Sequence, residues 1–367
     1  MLTGKILLIV LTGGPCAGKT SALCRLLEWL TGLDYRVAIV PEAATELITC
    51  GIRPQNFDDN VLFQQFVTKN ICAKEDLFAM AALRMKTNDP SKPTILLCDR
   101  GLMDSRAYVG DEAFTKILAK ENLDLADACD RRYAGVIHLR TAADGAEEYY
   151  TLSNNAARSE SPKKARELDQ ATEQAWHGHH RLVVVDNSTS FAGKLMRTQQ
   201  IVSSILGIPG PTEYERKFLI TEADEPLIIP IPHVDVAIEQ YYLNGDKERV
   251  RKRTRHDAST YFYTIKTNRP GMERAKVDRI ISEDEFFDFL RRRDLSRGVV
   301  RKTRTHFVWQ NQYFELDHFH HNNMKILEVR LTQGQTEVIL PPFIPTSLDV
   351  TDDERFYNNS IAASIKD

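Results

Sequence analysis

The chain changes its hydrophobic rhythm once, near residue 208. Before that point, short unbroken apolar runs alternate with stretches whose apolar residues recur at helical spacing. Residues 6–11, 36–40, 94–98, 135–139 and 182–185 read as buried strands. Between them, residues 21–30 carry leucines at 23, 26, 27 and 30, and the apolar positions of residues 58–86 predict one long helix or two shorter ones. Strands and helices in this alternation imply an α/β unit: a parallel sheet with helices on both faces. Its ligands should gather at the carboxyl ends of the strands.

Past Gly207-Ile208-Pro209-Gly210-Pro211 the period drops to two. Strands are expected at 213–220, 236–243, 249–255, 261–267, 299–309, 313–319 and 325–331, with one helix at 283–293. This predicts a mainly-β second unit, antiparallel and able to close as a barrel. The resulting division is 1–208, a linker at 209–211, the β unit at 212–348 and a tail at 349–367. In the tail, Thr351-Asp352-Asp353-Glu354 has the form of a capping box, so a short helix there either covers a barrel mouth or frays.

Charge occupies alternate positions in these strands. Glu213, Glu215 and Lys217 share one face, as do Arg249, Arg251 and Arg253. The same holds for Thr264 with Lys266, Lys302 with Arg304, Glu315 with Asp317, and Glu328 with Arg330. Two arrangements stay open: a solvated outer face, or an inverted barrel whose lumen is charged. The second requires mutual pairing and a charged ligand, because desolvating so many ions is otherwise prohibitive. Residues 245–304 hold 18 Lys and Arg against 10 Asp and Glu, an excess of 8 that suits a polyanion.

Over all 367 residues the formal net charge is -3, which gives no reason to expect nucleic-acid binding. All six cysteines fall in the first 130 residues without Cys-x-x-Cys spacing, as in a protein of a reducing, cytoplasmic compartment. No apolar stretch is long enough to cross a bilayer, and the first one runs directly into a glycine-rich loop, as a core strand does and a signal peptide does not.

That loop, Gly13-Gly14-Pro15-Cys16-Ala17-Gly18-Lys19-Thr20, lies between strand and helix, the context in which G-x-x-x-x-G-K-[ST] marks a phosphate loop. Its glycines let successive N–H groups face phosphate oxygens, with Ser21 at the positive end of the helix. Lys19 is placed for the β/γ-phosphates and Thr20 for Mg2+. Asp99, closing an apolar strand, is a candidate metal ligand or a helix cap, and Arg100 beside it a nucleotide contact. Glu42 and Asp104 are candidates to act as base or to orient a hydroxyl, with capping or surface roles as the alternative. Residues 141–180 are polar, and Arg158, Lys163, Lys164 and Arg166 suit either a lid over phosphates or a solvated helix face. His177, His179 and His180 lack thiol or carboxylate companions at metal spacing and read as surface residues, with a metal site as the lesser alternative.

Glu213-Tyr214-Glu215-Arg216-Lys217 resembles the E-x-E-x-K signature of the CYTH, or triphosphate tunnel, superfamily. The Arg249-Val250-Arg251, Tyr263–Lys266, Lys302-Thr303-Arg304, Phe314–Asp317 and Leu327–Val329 segments follow in that superfamily's order. The first half resembles nicotinamide-riboside-kinase-like P-loop domains through its loop, Pro41-Glu42-Ala43-Ala44 and Asp99-Arg100-Gly101. Together the halves resemble the TRPL translocation defect protein family, described as GTP-binding and lipid-binding and linked to membrane-protein trafficking.

The resemblance implies an eight-stranded tunnel lined by Lys217, Arg249, Arg251, Lys266, Lys302 and Arg304. It also implies a divalent ion, Mg2+ or Mn2+, on carboxylates drawn from Glu213, Glu215, Asp317 and Glu328. Ligands would be GTP or ATP in the first unit, and a polyphosphate or anionic phospholipid headgroup in the second, with peripheral membrane contact. Arg330 departs from the pattern of catalytic relatives, which carry an acid there; a cation at this place disfavours metal and hydrolysis. The sequence holds no Asn-Lys-x-Asp guanine motif. It therefore leaves open a regulatory binder, a small-molecule kinase and a metal-dependent triphosphatase.

Overall fold

A computed structural model describes residues 6–150, 161–208, 214–221, 227–244, 248–255, 258–269, 272–331, 337–345 and 347–365. The expected sites Arg158 and Glu213 and the linker 209–211 lie outside these, as does the side chain of Lys266. The chain separates into two compact units, Met1–Val202 and Ser203–Asp367.

The first unit runs β1 (Leu7–Thr12), α1 (Lys19–Gly32), β2 (Arg36–Val40), α2 (Ala43–Thr49), α3 (Asn60–Asn88), β3 (Thr94–Asp99), α4 (Arg106–Lys120), β4 (Gly135–Leu139), α5 (Pro162–Ala175), β5 (Leu182–Val185) and α6 (Phe191–Leu206). The sheet is parallel in the order β2-β3-β1-β4-β5. Its inner strands are continuous apolar runs because helices cover both faces; Ile9, Val10, Leu96, Leu97, Val136 and Ile137 are wholly buried. The ends of β1, β3 and β4 thereby converge on one edge, where the glycine-rich loop begins.

The second unit contains β6 (Tyr214–Ile220), β7 (His233–Tyr242), β8 (Glu248–Arg255), β9 (Ala258–Arg269), β10 (Met272–Ile281), α7 (Glu283–Leu290), β11 (Val300–Trp309), β12 (Gln312–Phe319), β13 (Lys325–Leu331), β14 (Ser347–Asp349) and α8 (Asn358–Ser364). Eight long strands and the short β14 form one antiparallel sheet, β10-β9-β8-β7-β11-β12-β13-β6-β14. Among the described residues the hydrogen-bond ladder is open between β10 and β14.

Register decides which face is which. Arg304 opposes Asp317, Glu315 opposes Glu328, and Glu328 opposes Lys217, so these charges share one face. That face is buried: Asp317 is 0% exposed, Glu315 4% and Lys302 2%. The opposite face is buried too, Phe218, Phe307, Phe314, Leu327 and Val329 packing under Ile229 and Ile344. A sheet with both faces covered and the polar one innermost is the inverted arrangement; the greasy side faces outward beneath loops and helices. On that outer side α7 starts from a Ser282–Glu285 capping box and sets Phe286 against Leu243, Val250, Tyr261 and Ile281.

The expected strands include none at residues 272–281, where β10 lies. β10 carries five charges between Glu273 and Arg279, which hid its period; among the described residues it is the edge of the ladder, with no second neighbour to demand apolar residues. The tail is ordered, with Ile361 and Ala362 of α8 packing on Tyr242, Val300, Phe319 and Ile326. These four belong to the inner face, so α8 closes one mouth of the barrel.

Candidate functional sites

The loop after β1 has the backbone its glycines anticipate. Gly13 has φ 137° and Gly18 φ 86°, and Cys16 also takes a left-handed φ of 57°. A Cβ on Gly13 would meet the Leu139 carbonyl oxygen at 2.0 Å. Lys19 Nζ folds over the loop, donating to the carbonyls of Gly13 (3.1 Å) and Gly14 (3.2 Å). Burial, with Arg100 adding to it, lowers the Lys19 pKa against the pull of Asp99, Glu42 and Asp104. Pro15 and Ala17 are buried in the loop, whereas Thr20 and Ser21 face outward at the first turn of α1.

The next strand ends bring up the acidic groups. Arg100, itself at φ 70°, donates from Nε to Glu42 Oε1 at 2.6 Å and from Nη1 to Asp104 Oδ1 at 2.9 Å. A left-handed non-glycine residue costs about 1–3 kcal/mol and persists where its surroundings fix it, as these two carboxylates do. Burial pushes Glu42 up, but Arg100 and Lys19 outweigh it and hold the carboxyl down to about 2. Asp104 is buried and saturated, accepting from Thr12 Oγ1, the Gly101 amide (3.0 Å) and Trp176 Nε1 (3.1 Å) as well as Arg100. Asp99 is the exception. Among the described residues its Oδ1 is buried with no hydrogen-bond partner, and burial raises its pKa. An orphaned carboxylate oxygen on the strand beside the phosphate loop has the hard-oxygen chemistry Mg2+ takes. The orphaned oxygen fits a divalent ion, which Asp99, with Thr20, would hold.

Sequence reasoning missed Asp169. It lies on α5, where it accepts from the amides of Gly14 (2.7 Å) and Thr141 (3.0 Å) through Oδ1. Its Oδ2 meets Arg140 Nη1 (2.9 Å) and His138 Nε2 (3.2 Å). Glu173, one turn on, takes the other arm of Arg140 and pairs with His177 at 2.9 Å. The signal was present: Asp169, Glu173 and His177 recur every four residues, on one helical face.

The lid residues fare differently. Arg166 is exposed and anchored to the Ala143 carbonyl at 2.7 Å, and Lys163 and Lys164 are exposed. His177, His179 and His180 are not surface residues: the first two are buried and the third half-buried, His179 packing on Trp176 at the end of α5. His179 and His180 come together with Asp130, a companion carboxylate that the sequence spacing did not reveal.

In the barrel, Arg304 is the hub. It bonds Asp317 through Nε and Nη2 (both 2.6 Å), Glu328 through Nη2 (2.9 Å) and Glu315 through Nη1. Lys217 adds a second cation to Glu328 at 2.7 Å, Lys302 a second to Asp317, and Arg330 a second to Glu315 at 3.5 Å. Glu215 is half-exposed, 3.8 Å from Lys217. As placed, each buried carboxylate of the group expected to ligate metal already meets two cations. Burial lowers Lys302 to about 8 in spite of Asp317, and the Lys217 and Arg304 cations hold Glu328 well below the usual range against its burial. Two strands from β11 in the sheet, Arg249 and Arg251 lie on β8, Arg251 bonding Asp278 at 3.0 Å.

A parallel 2-3-1-4-5 sheet with this loop, Lys19 and the Asp99 strand end defines a P-loop nucleotide-binding domain. The chain belongs to the AAA domain family, whose model matches residues 8–194. Two solved structures are similar to the chain. One is titled the hypothetical protein NE1496, at 29% identity over 42% of this chain and 100% of that one, with TM-score 0.31. The other is titled the inorganic triphosphatase NE1496, at 28% identity over 43% of this chain and 99% of that one, also with TM-score 0.31. No curated protein matches the chain. Among the described residues no helix is long and apolar enough to cross a membrane.

Proposed function

We propose that this chain binds GTP or ATP with Mg2+ on its P-loop unit and transfers the terminal phosphoryl to a hydroxyl acceptor, while its barrel holds a phosphorylated anion. The observation that carries the reading is the buried, unpartnered Asp99 Oδ1 beside Lys19. Asp99 and Thr20 would hold a divalent ion there, which would supply positive charge to the nucleotide phosphates. Lys19 leaves the loop carbonyls to take the phosphates. Glu42, kept ionised by Arg100, accepts a hydrogen bond from the acceptor hydroxyl and orients it; Asp104 fixes Arg100 in turn. Arg166 would leave the Ala143 carbonyl to serve as a cation for the transferring group.

Phosphate release and acceptor phosphorylation are measured with ATP, GTP and tripolyphosphate for the parent, Lys19→Ala and Glu215→Ala. Loss with Lys19→Ala alone supports the transferase; loss with Glu215→Ala alone replaces it with a barrel triphosphatase. Retained nucleotide binding without turnover makes the chain a regulatory binder. Two sources supply the barrel anion chemistry: a free polyphosphate, and an anionic phospholipid headgroup at a membrane surface. Flotation with phosphoinositide vesicles separates them.

A further inference from the structure

The barrel has two walls of opposite character. On β6, β11, β12 and β13 the charges are matched: Glu315, Asp317 and Glu328 face Lys217, Lys302, Arg304 and Arg330, and among the described residues Arg304 alone reaches all three acids. A divalent ion entering this wall must displace at least two cations from whichever carboxylate it takes, and the displaced ammonium or guanidinium then stays buried beside the ion. Both changes are unfavourable in a low dielectric.

On β8 the balance is reversed. Arg249 and Arg251 project to the same inner face, and among the described residues the Nε of each is buried without a hydrogen-bond partner. Asp278 bonds Arg251 on its other arm, as does Thr264 at 3.5 Å. Burial, with Arg249, Arg253 and Arg304 close by, holds the Arg251 guanidinium down to about 10 in spite of Asp278. Buried donors left unmatched are unfavourable, more so when charged, so they mark where an acceptor-rich ligand belongs. Guanidinium groups match phosphate oxygens in geometry as well as charge.

We infer that the barrel takes its phosphate-bearing ligand directly on Arg249 and Arg251 of β8, with no divalent ion between ligand and protein. The inference rests on the reading of the barrel as an anion site and specifies how that site works. α8 closes one mouth and Asn358 holds Lys302 at 3.1 Å, so the ligand enters opposite the tail.

The test uses the full chain carrying Lys19→Ala, which removes the phosphate loop's contribution, and titrates tripolyphosphate calorimetrically in EDTA and then in Mg2+ or Mn2+. The expected result is an affinity that changes less than about threefold between the conditions and falls at least tenfold in Arg251→Gln. An affinity at least tenfold weaker in EDTA, restored by Mn2+, overturns the inference while leaving the anion site standing. No binding in either condition, with an unchanged melting curve, removes the anion site itself. Arg330→Glu supplies an independent arm: taking one of its two cations from Glu315 and adding an acid beside Glu328 should create a Mn2+-dependent gain in affinity that the parent lacks. Equal Mn2+ responses in both proteins count against the inference.

Discussion

Asp169 Oδ1 lies 2.7 Å from the amide nitrogen of Gly14, so a carboxylate on α5 closes a hydrogen bond onto the phosphate loop 155 residues earlier in the chain. The same oxygen takes the Thr141 amide, and its partner oxygen takes Arg140 and His138. One side chain therefore binds the loop after β1, the loop after β4 and the helix over both. Burial pushes its pKa up, but His138 and Arg140 hold it well below the ordinary carboxylate range.

Asp169→Ala leaves Arg140 and two backbone amides short of an acceptor in a buried place. Removing one partner of such a pair costs about 3–5 kcal/mol. Urea unfolding of the variant should show a loss of that order. Asp169→Asn keeps an oxygen for the amides and loses only the charge, so its loss should be smaller; equal losses would mean that the amides contribute nothing.

Gly14→Ala tests the same junction from the other side. A Cβ there would lie 2.8 Å from both Cβ and Oδ1 of Asp169, closer than real atoms approach. Since φ at Gly14 is not in the left-handed region, the strain is steric and falls on α5. Nucleotide affinity, read by titration of a fluorescent ATP analogue, should fall at least tenfold while the melting temperature drops by only a few degrees. An unchanged affinity would mean that α5 can retreat without disturbing the loop.

These two residues show what the sequence could and could not convey. The loop was legible because its chemistry is local: strand, glycines, Lys19 and Thr20 are contiguous, and three predicted strands, 36–40, 135–139 and 182–185, coincide with the structure. Asp99 was legible for the same reason, as the polar end of an apolar run. Asp169 was not, because its meaning depends on Gly14 and Arg140, each distant in sequence, and an acid on a polar helix reads as solvated. His177 and His179 misled similarly: polar residues beside a glycine resemble a surface turn until Glu173 and Trp176 are seen packed against them. In the barrel, period two fixed which residues share a face, but only burial on both sides of β11–β13 showed which face was inward.

The buried carboxyl of Glu75 makes stability depend on pH. It sits on α3 between Arg132 and Tyr133, whose hydroxyl lies 3.0 Å from Oε1, and burial raises its pKa from 4.5 to about 7. With the folded value above the unfolded one, the native state binds the extra proton between these limits. Stability is then greatest near the lower limit and declines as pH rises toward 7; each pKa unit is worth about 1.4 kcal/mol. Thermal melts from pH 5 to pH 8 should show this decline in the parent and a flatter profile in Glu75→Gln. Parallel profiles would assign the slope to other groups.

Arg304 supplies the sharpest test of the barrel's inner face, because three buried acids depend on one guanidinium. Arg304→Met preserves much of the volume and deletes the charge, leaving Glu315 with Arg330 at 3.5 Å, Asp317 with Lys302 and Glu328 with Lys217. Each acid keeps one cation, so the cost should be less than that of three orphaned charges, about 3–5 kcal/mol in total. Protonating the acids relieves what remains, and the variant's deficit should therefore shrink as pH falls, opposite to the behaviour of an intact pair. Arg304→Lys retains charge but cannot span three carboxylates, and should fall between parent and Met. Urea titrations at pH 5 and pH 8 read both orders; a Met variant as stable as the parent at pH 8 would mean that this face is hydrated well enough for its acids to need no hub.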